Sequence, residues 1–160
     1  MRAYIDIETT ALDPTVGELT VVGIHLEQDG QERLVQLYED TLTKDNLLAA
    51  LAGTSILYSY NGKDDLPFIA AKLGVDLASV FRHCDLMRRC WRRNLYGGQK
   101  KVEKKLGISR ETTGMDGAQA VALWNDYRLN GNPDALSTLL LYNSEDVTNL
   151  AHIRRKLGVD

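Results

Sequence analysis

Cysteine and histidine are scarce in this chain of 160 residues. It contains two cysteines, Cys84 and Cys90, and three scattered histidines, His25, His83 and His152. The cysteines lie six residues apart and no C-x-x-C pair occurs, so the usual ligand spacing of a structural zinc site is missing. We therefore expect two reduced thiols, as is typical of a cytoplasmic protein.

Long apolar runs are also missing. No stretch approaches the roughly 20 apolar residues that cross a bilayer. Arg2 and Asp6 interrupt the first ten residues, so we expect no cleavable leader and no association with a membrane. The chain is 44% hydrophobic, which is enough for one sizeable core, and we expect a single domain over residues 1–160 in the cytoplasm.

The positive charge of the chain is concentrated in one segment. Residues 82–110 carry ten arginines and lysines against two acids, a net charge of +8, so the rest of the chain carries −11 of the total of −3. Trp91 and Tyr96 lie within this basic segment, and their rings could stack on bases. The segment favours a phosphate-rich partner on one side of the protein, although a solvated helix face is the alternative.

Hydrophobic periodicity predicts an α/β fold. The expected elements are strands over 3–8, 19–26, 33–38 and 55–60, a helix from a Thr43 cap to Gly53, a helix over 68–73, a strand over 80–84, and helices near 85–95, 99–106, 116–129 and 132–156. Residues 61–67 are expected to form a turn. The first three strands are joined by short turns and predict an antiparallel meander beside further strands and helices.

Two acids interrupt the first predicted strand. Asp6 and Glu8 lie at positions i and i+2, which share one face of a strand about 7 Å apart. Two such carboxylates repel each other in a low-dielectric site. One of them is protonated, or one faces solvent, or a divalent cation such as Mg²⁺ or Mn²⁺ lies between them.

Two further motifs carry acids. Asn61, Asp64 and Asp65 follow the fourth strand, where they could form part of a site at its carboxyl end or cap the next helix. Tyr142 and Asp146 are four residues apart on one face of the last helix. They could reach a shared site, or they could be a half-packed ring and a surface aspartate paired with an arginine.

The order of these motifs, D-x-E, N-x3-D and Y-x3-D, resembles the tyrosine-type (DEDDy) 3′→5′ exonucleases of the ribonuclease H-like superfamily. The segments GGQKKVEKKLGI and DGAQAVALWNDY before YNSEDVTNL resemble its compact stand-alone branch, and the likeness spans nearly the whole chain. The histidine-type branch places its base five residues before the last aspartate, and that position here is Leu141. Asp64 and Gln99 depart from the family pattern, in which both positions are usually apolar; Asp65 is selected as the third acid by the N-x3-D spacing.

This resemblance implies a ribonuclease H-like fold with a mixed five-stranded sheet flanked by helices. It implies hydrolysis of single-stranded DNA or RNA to nucleoside monophosphates with two divalent ions, Mg²⁺ or Mn²⁺. Asp6 would bridge both ions, Glu8 and Asp146 would complete the first site, Asp65 would hold the second, and Tyr142 would orient or help deprotonate the attacking water. The candidate substrate-binding residues are Asn61, Arg88, Arg92, Lys100 and Lys101.

Two other functions are compatible with the acidic first strand. Haloacid-dehalogenase-type phosphatases begin with D-x-D-x-T, but this chain reads DIETT and has no clear counterpart of their later lysine and paired-acid motifs. A ribonuclease H-like fold could also be retained as a nucleic-acid-binding module without catalysis. The presence of all four acids argues against that loss.

Overall fold

A computed structural model describes residues Met1–Asp160, and a five-stranded mixed sheet lies at its centre. The strands are β1 (Arg2–Thr9), β2 (Leu19–Gln28), β3 (Gln31–Tyr38), β4 (Ile56–Ser59) and β5 (His83–Asp85), in the order β3-β2-β1-β4-β5. β1, β2 and β3 pair antiparallel, whereas β4 is parallel to both β1 and β5. The predicted α/β architecture, a mixed five-stranded sheet with an antiparallel β1-β2-β3 meander, is thereby confirmed.

Seven α-helices flank the sheet. They are α1 (Lys44–Leu51), α2 (Gly62–Leu73), α3 (Leu77–Val80), α4 (Leu86–Trp91), α5 (Gln99–Lys105), α6 (Gly117–Asn130) and α7 (Pro133–Leu157). The caps expected from the sequence are present: the Thr43 side chain accepts a hydrogen bond from the Asn46 amide, and the Asn132 side chain accepts one from the Asp134 amide. None of the helices combines the length and the apolarity required to span a bilayer.

The two faces of β1 pack against different helices. Ala3 and Ile5 belong to a core cluster with residues of α1 and α2, whereas Tyr4 belongs to a cluster with residues of α4 and α7. Side chains alternate along a strand, so Asp6 and Glu8 lie on the same side of the sheet as Tyr4. The two acids of β1 therefore face α7.

Helix α2 begins six residues earlier than predicted, and the expected turn over residues 61–67 is wrong. Asn61 adopts a left-handed backbone with φ of 63°, and α2 starts at the next residue. The Asp85 carboxylate accepts hydrogen bonds from the Asn61 and Gly62 amides, at 2.9 and 3.2 Å, and so stabilises this helix end. Pro67, the last residue of the predicted turn, lies inside α2.

The region before α4 also differs from the prediction. Residues Leu77–Val80 form the short helix α3, and the fifth strand begins only at His83 instead of residue 80. The Asp76 side chain caps α3 by accepting a hydrogen bond from the Ala78 amide. Val80, the first residue of the predicted strand, therefore belongs to α3.

Candidate metal centre

Three carboxylates from β1 and α7 converge at the carboxyl end of β1. Oxygen atoms of Asp6, Glu8 and Asp146 all lie within 4.8 Å of one another. Glu8 and Asp146 are buried, with 8% and 6% of their surface exposed, and Asp6 is half-buried. Asp146 reaches this position because α7 packs across β1 and presents its buried face to the sheet.

A fourth carboxylate, Asp65, borders this cluster from the first turn of α2. The charge of Asp65 contributes to the raised pKa values of Asp6 and Glu8, and the charge of Asp146 contributes to that of Asp65. The neighbouring Asp64 is exposed and accepts a hydrogen bond of 2.5 Å from Asn61 Nδ2. The arrangement thus supports Asp65 rather than Asp64 as the fourth member of the centre.

Burial and mutual repulsion disfavour ionisation of these acids. The pKa of Asp6 is raised well above its usual value, chiefly by burial and then by the charges of Asp146 and Glu8. The pKa of Glu8 is raised in the same direction, by burial and then by Asp146. Burial, followed by repulsion from Asp64 and Asp85, raises the pKa of Asp65 to about 8.

A buried arginine that the sequence analysis did not single out offsets part of this charge. Arg110 Nη2 donates to Asp146 at 2.5 Å, and the same guanidinium forms two hydrogen bonds with Glu103, at 2.6 and 2.8 Å. Glu103 is 1% exposed, and the side chain of Arg110 is 5% exposed. Lys100 Nζ lies 3.7 Å from Asp146 and supplies the second cation.

These two cations are too few for the acids around them. The centre holds the carboxylates of Asp6, Glu8, Asp65 and Asp146, and Arg110 also pairs with Glu103. Five acids against two cations leave three negative charges in excess if every group is ionised. Such an excess in a largely buried site favours the binding of further positive charge.

Tyr142 lies at the same centre, one helical turn before Asp146. Its hydroxyl accepts a hydrogen bond of 2.7 Å from Lys100 Nζ. Burial and the charges of Asp146 and Glu8 raise the pKa of Tyr142 above its ordinary value near 10. The phenol therefore stays protonated at neutral pH and is suited to donate a hydrogen bond, not to act as a base.

Asn143 supports the two acids of β1, and the sequence analysis did not identify it. Its Nδ2 lies 3.4 Å from Asp6 Oδ2, and its hydrogen bond to Glu8 lowers the pKa of that acid. Gln36 holds the Asn143 amide by donating to its Oδ1 at 3.0 Å. Gly23, the partner of Asp6 in the sheet, makes room for Asn143, because a Cβ there would lie 2.3 Å from Asn143 Oδ1.

The candidate substrate-binding residues do not all lie together. Lys100 is at the centre, whereas Arg88 and Arg92 line a separate groove beside α2. Lys101 is exposed beside the loop that precedes α5, and the side chain of Asn61 bonds to Asp64. The basic segment predicted from the sequence is therefore divided between two places.

Gln99, which departs from the family pattern, has a polar role here. Its Nε2 donates to the backbone oxygen of Asp146 at 2.7 Å and to Glu103 Oε1 at 2.9 Å. The side chain thereby joins the start of α5 to the turn of α7 that carries Asp146. An amide at this position is thus consistent with the docking of α5 against the centre.

The side chains of the centre fit a hard divalent cation. Glu8 Oε1 is buried and has no hydrogen-bond partner, although a carboxylate oxygen removed from water normally has one. The other converging ligand atoms are also carboxylate oxygens, which Mg²⁺ and Mn²⁺ prefer. Coordination of a cation would use the unpartnered oxygen and offset the excess negative charge.

A second group of potential ligands lies at the opposite end of β1. His25, Glu27 and Glu32 approach one another within 4.8 Å. Arg154 and Arg155 form ion pairs with these glutamates and already neutralise them. This group therefore has no excess of negative charge that would require a cation.

The raised pKa values predict how the metal-free protein responds to pH. An acid whose pKa is raised by folding binds its proton more tightly in the folded chain than in the unfolded chain. The free energy of unfolding therefore falls as the pH rises from the pKa of the acid in the unfolded chain to its pKa in the folded chain. For Asp65 this window extends from about 3.8 to about 8. Thermal melts in chelator should therefore give a melting temperature at pH 8 at least about 3 °C below that at pH 5. Saturating Mg²⁺ should reduce this difference, and a higher melting temperature at pH 8 in chelator would contradict the expectation.

Comparison with known proteins agrees with the fold. A family model of the RNase H superfamily matches residues 3–158. The sequence shows no significant match to a curated protein. Two structures of Brucella melitensis NrnC, one with bound Mg²⁺ and one bound to pGG, share 22% and 21% identity with this chain. Their TM-scores are 0.64 and 0.65, and each alignment covers 98% of this chain and 71% of NrnC.

A third similar structure, described as the apo form of the nuclease, shares 23% identity with a TM-score of 0.64 over 98% of this chain and 70% of that protein. At this level of identity these three structures establish the fold alone. The family match leaves no support for the phosphatase alternative. Because the match spans nearly the whole sequence and the sheet has the expected topology, this chain belongs to the RNase H superfamily.

Proposed function

We propose that this protein is a metal-dependent 3′→5′ exonuclease that hydrolyses single-stranded DNA or RNA and releases nucleoside monophosphates. The observation that carries the proposal is the convergence of Asp6, Glu8 and Asp146, bordered by Asp65, in a site with too little positive charge. The 3′→5′ direction and the choice of single strands rest on the resemblance of the three motifs to the DEDDy exonucleases.

The similar structures support the same chemistry. One NrnC structure contains Mg²⁺, and another contains the nucleotide pGG. A divalent cation and an oligonucleotide are also the ligands that suit the acidic centre and the basic segment of this chain. We infer that both bind here, with Mg²⁺ or Mn²⁺ as the cation.

The four acids would hold two ions. Asp6 would contact both, Glu8 and Asp146 would complete one site, and Asp65 would hold the other. Divalent ions at such a centre activate water and stabilise the charge on the attacking and leaving oxygens of a phosphodiester. Asn143 and Arg110 act indirectly, because they hold Asp6 and Asp146 in place before any ion binds.

Tyr142 would orient the attacking water. Its pKa is raised, so it keeps its proton and offers an O–H donor beside the acids. Lys100 fixes the phenol oxygen and carries a positive charge that could also contact the phosphate being attacked. A Tyr142→Phe variant would remove the donor and leave the buried ring in place.

A direct test uses a single strand labelled at its 5′ end and incubated with Mg²⁺, Mn²⁺ or chelator. The proposal predicts a ladder of products that shorten one nucleotide at a time from the 3′ end, with no product in chelator. A 3′-phosphorylated or circular strand serves as a control for the need for a free 3′ end. Salt-sensitive binding without metal-dependent cleavage would instead favour the non-catalytic binding module.

Glu8→Gln should separate the two roles of the acid, which are metal binding and charge repulsion. The amide has nearly the same shape but no charge, so it relieves the repulsion from Asp146 and weakens cation binding. We expect the metal-free variant to melt about 3 °C above wild type, and Mn²⁺ to stabilise it less than it stabilises wild type.

Glu18→Gln is the matched control for this variant, because Glu18 is exposed and lies outside the acidic centre. It should melt like wild type with and without Mn²⁺. An unchanged response of Glu8→Gln to Mn²⁺ would remove Glu8 from the metal site.

A further inference from the structure

A groove of about 610 Å³ lies beside α2 and is bordered by four cationic side chains. Lys63 comes from the first turn of α2, and Arg88, Arg89 and Arg92 come from α4 and its end. We call this feature the arginine groove. Arg88 and Arg92 are four residues apart and therefore project from the same side of the helix.

The cations of the arginine groove have no acidic partners. None of the four side chains takes part in an ion pair of the protein. Arg110, Arg154 and Arg155 of the same chain are all paired with glutamates or aspartates. The four cations of the groove, by contrast, are free to pair with an anion from outside the protein.

The two acids that border the groove are already engaged with the backbone. Asp85 accepts hydrogen bonds from the amides of Asn61, Gly62 and Met87. Asp76 accepts from the Ala78 amide and the Ser79 hydroxyl. These acids cap helices and do not pair with the arginines, so the groove keeps an excess of two positive charges.

The arginine groove and the metal centre lie on opposite sides of α2. Lys63 and Leu66 face the groove, whereas Asp65 and Phe68 border the hollow that also contains Glu8. Only the width of one helix separates the two places, and the charge of Asp85 at the groove still influences the pKa of Asp65. A flexible chain of phosphates could therefore pass from the centre around the first turn of α2 into the groove.

The floor of the groove is tightly packed near the start of α2. A Cβ on Gly62 would lie 2.3 Å from Ser59 Oγ and 2.8 Å from the His83 ring. His83 Nε2 and Ser59 Oγ are hydrogen-bonded at 2.8 Å. A fixed floor with unpaired cations at its rim suits a polyanion held through its backbone, without recognition of particular bases.

We propose that the arginine groove binds the phosphates of the part of a single strand that lies beyond the nucleotides at the metal centre. This inference rests on the proposed exonuclease function and adds a site that favours long strands over dinucleotides. Guanidinium groups pair with phosphate through two parallel hydrogen bonds, and three of them along one groove can hold successive phosphates.

The test compares the wild-type chain with a variant in which Arg88, Arg89 and Arg92 are all changed to Ala. In chelator, fluorescence anisotropy measures the affinity for a single strand of about 12 nucleotides at several salt concentrations. We expect the affinity to fall at least about tenfold. The slope of log affinity against log salt should become shallower by about 2, since each lost phosphate contact contributes about 0.7.

A matched control removes three exposed cations elsewhere, with Arg33, Lys44 and Lys156 all changed to Ala. None of these three side chains forms an ion pair in the structure. The control loses the same net charge, so equal losses of affinity in both variants would overturn the assignment of a site to the groove. Melting temperatures of both variants check that they are folded.

Hydrolysis assays separate the groove from the metal centre. With Mg²⁺, the groove variant should lose at least about tenfold more kcat/KM on the long strand than on a 5′-phosphorylated dinucleotide. Equal losses on both substrates would overturn the inference of a separate site. If neither protein cleaves any strand, the proposed function fails, and the affinities in chelator still decide whether the groove binds phosphates.

Discussion

Asp6→Asn should lower the rate of metal-dependent strand cleavage at least about a thousandfold. Carboxylate oxygens of Asp6 lie within 4.8 Å of those of Glu8 and Asp146, and the charges of Asp146, Glu8 and Asp65 all raise its pKa. The amide keeps the shape of the side chain but removes the charge that would hold cations. Rates from single-turnover assays with a labelled strand give the measurement, and a melting temperature at or above that of wild type excludes unfolding as the cause.

Asp64→Asn and Asp65→Asn provide a matched pair for this experiment. The two acids are adjacent in the sequence, but Asp64 is exposed and bonded to Asn61, whereas Asp65 faces the other acids. We expect Asp64→Asn to stay within about threefold of wild type and Asp65→Asn to lose at least about a hundredfold. The reverse order would overturn the choice of Asp65, and full activity of Asp6→Asn would overturn the site as a whole.

Arg110→Ala should destabilise the metal-free protein by about 3–5 kcal/mol. The change leaves the buried Glu103 carboxylate without the guanidinium that pairs with it, and it removes the cation closest to Asp146. In a chain of this length such a loss lowers the melting temperature by roughly 6 °C or more. Denaturant unfolding in chelator measures the free energy directly. Mn²⁺ should restore part of it, because a bound cation offsets the charge that Arg110 leaves behind.

Two variants control for this effect. Arg128→Ala removes a surface ion pair with Glu39 and should cost less than about 1 kcal/mol. Changing Arg110 to Met and Glu103 to Gln together removes both buried charges and should cost clearly less than Arg110→Ala alone. If Arg110→Ala is no more harmful than Arg128→Ala, the buried pair does not stabilise the centre.

Local sequence patterns predicted most of the sheet because they report on local physics. The alternation of apolar residues in β1 placed Asp6 and Glu8 on one face, and the Thr43 and Asn132 caps located the starts of α1 and α7. The start of α2 could not be found in this way. The carboxylate that supports it belongs to Asp85, which lies 24 residues further along the chain.

The division of the basic segment was beyond sequence reasoning for a similar reason. In the sequence, Arg110, Lys100 and Arg88 each contribute one positive charge and look alike. In the structure, Arg110 is buried against Asp146, Lys100 contacts Tyr142, and Arg88 is exposed in the arginine groove. Their environments depend on which acids are brought near them by packing. The one sequence signal for the buried pair is Glu103, which is one of only two acids in the basic segment and lies seven residues before Arg110.

The choice between Asp64 and Asp65 depended on the backbone as well. In a turn the two side chains would have had similar access to the site. Within α2 they point in directions about 100° apart, and of the two it is Asp65 whose charge raises the pKa values of Asp6 and Glu8. The N-x3-D spacing selects the same residue because the helix begins directly after Asn61.

Anomalous diffraction from crystals grown with Mn²⁺ and a short single strand tests the central claim most directly. The account predicts two anomalous peaks, both within coordination distance of Asp6, with Glu8 and Asp146 on one ion and Asp65 on the other. The His25, Glu27 and Glu32 group should show no peak, because its glutamates are paired with arginines. An empty acidic centre in Mn²⁺-saturated crystals, or a peak only at the second group, would contradict the account.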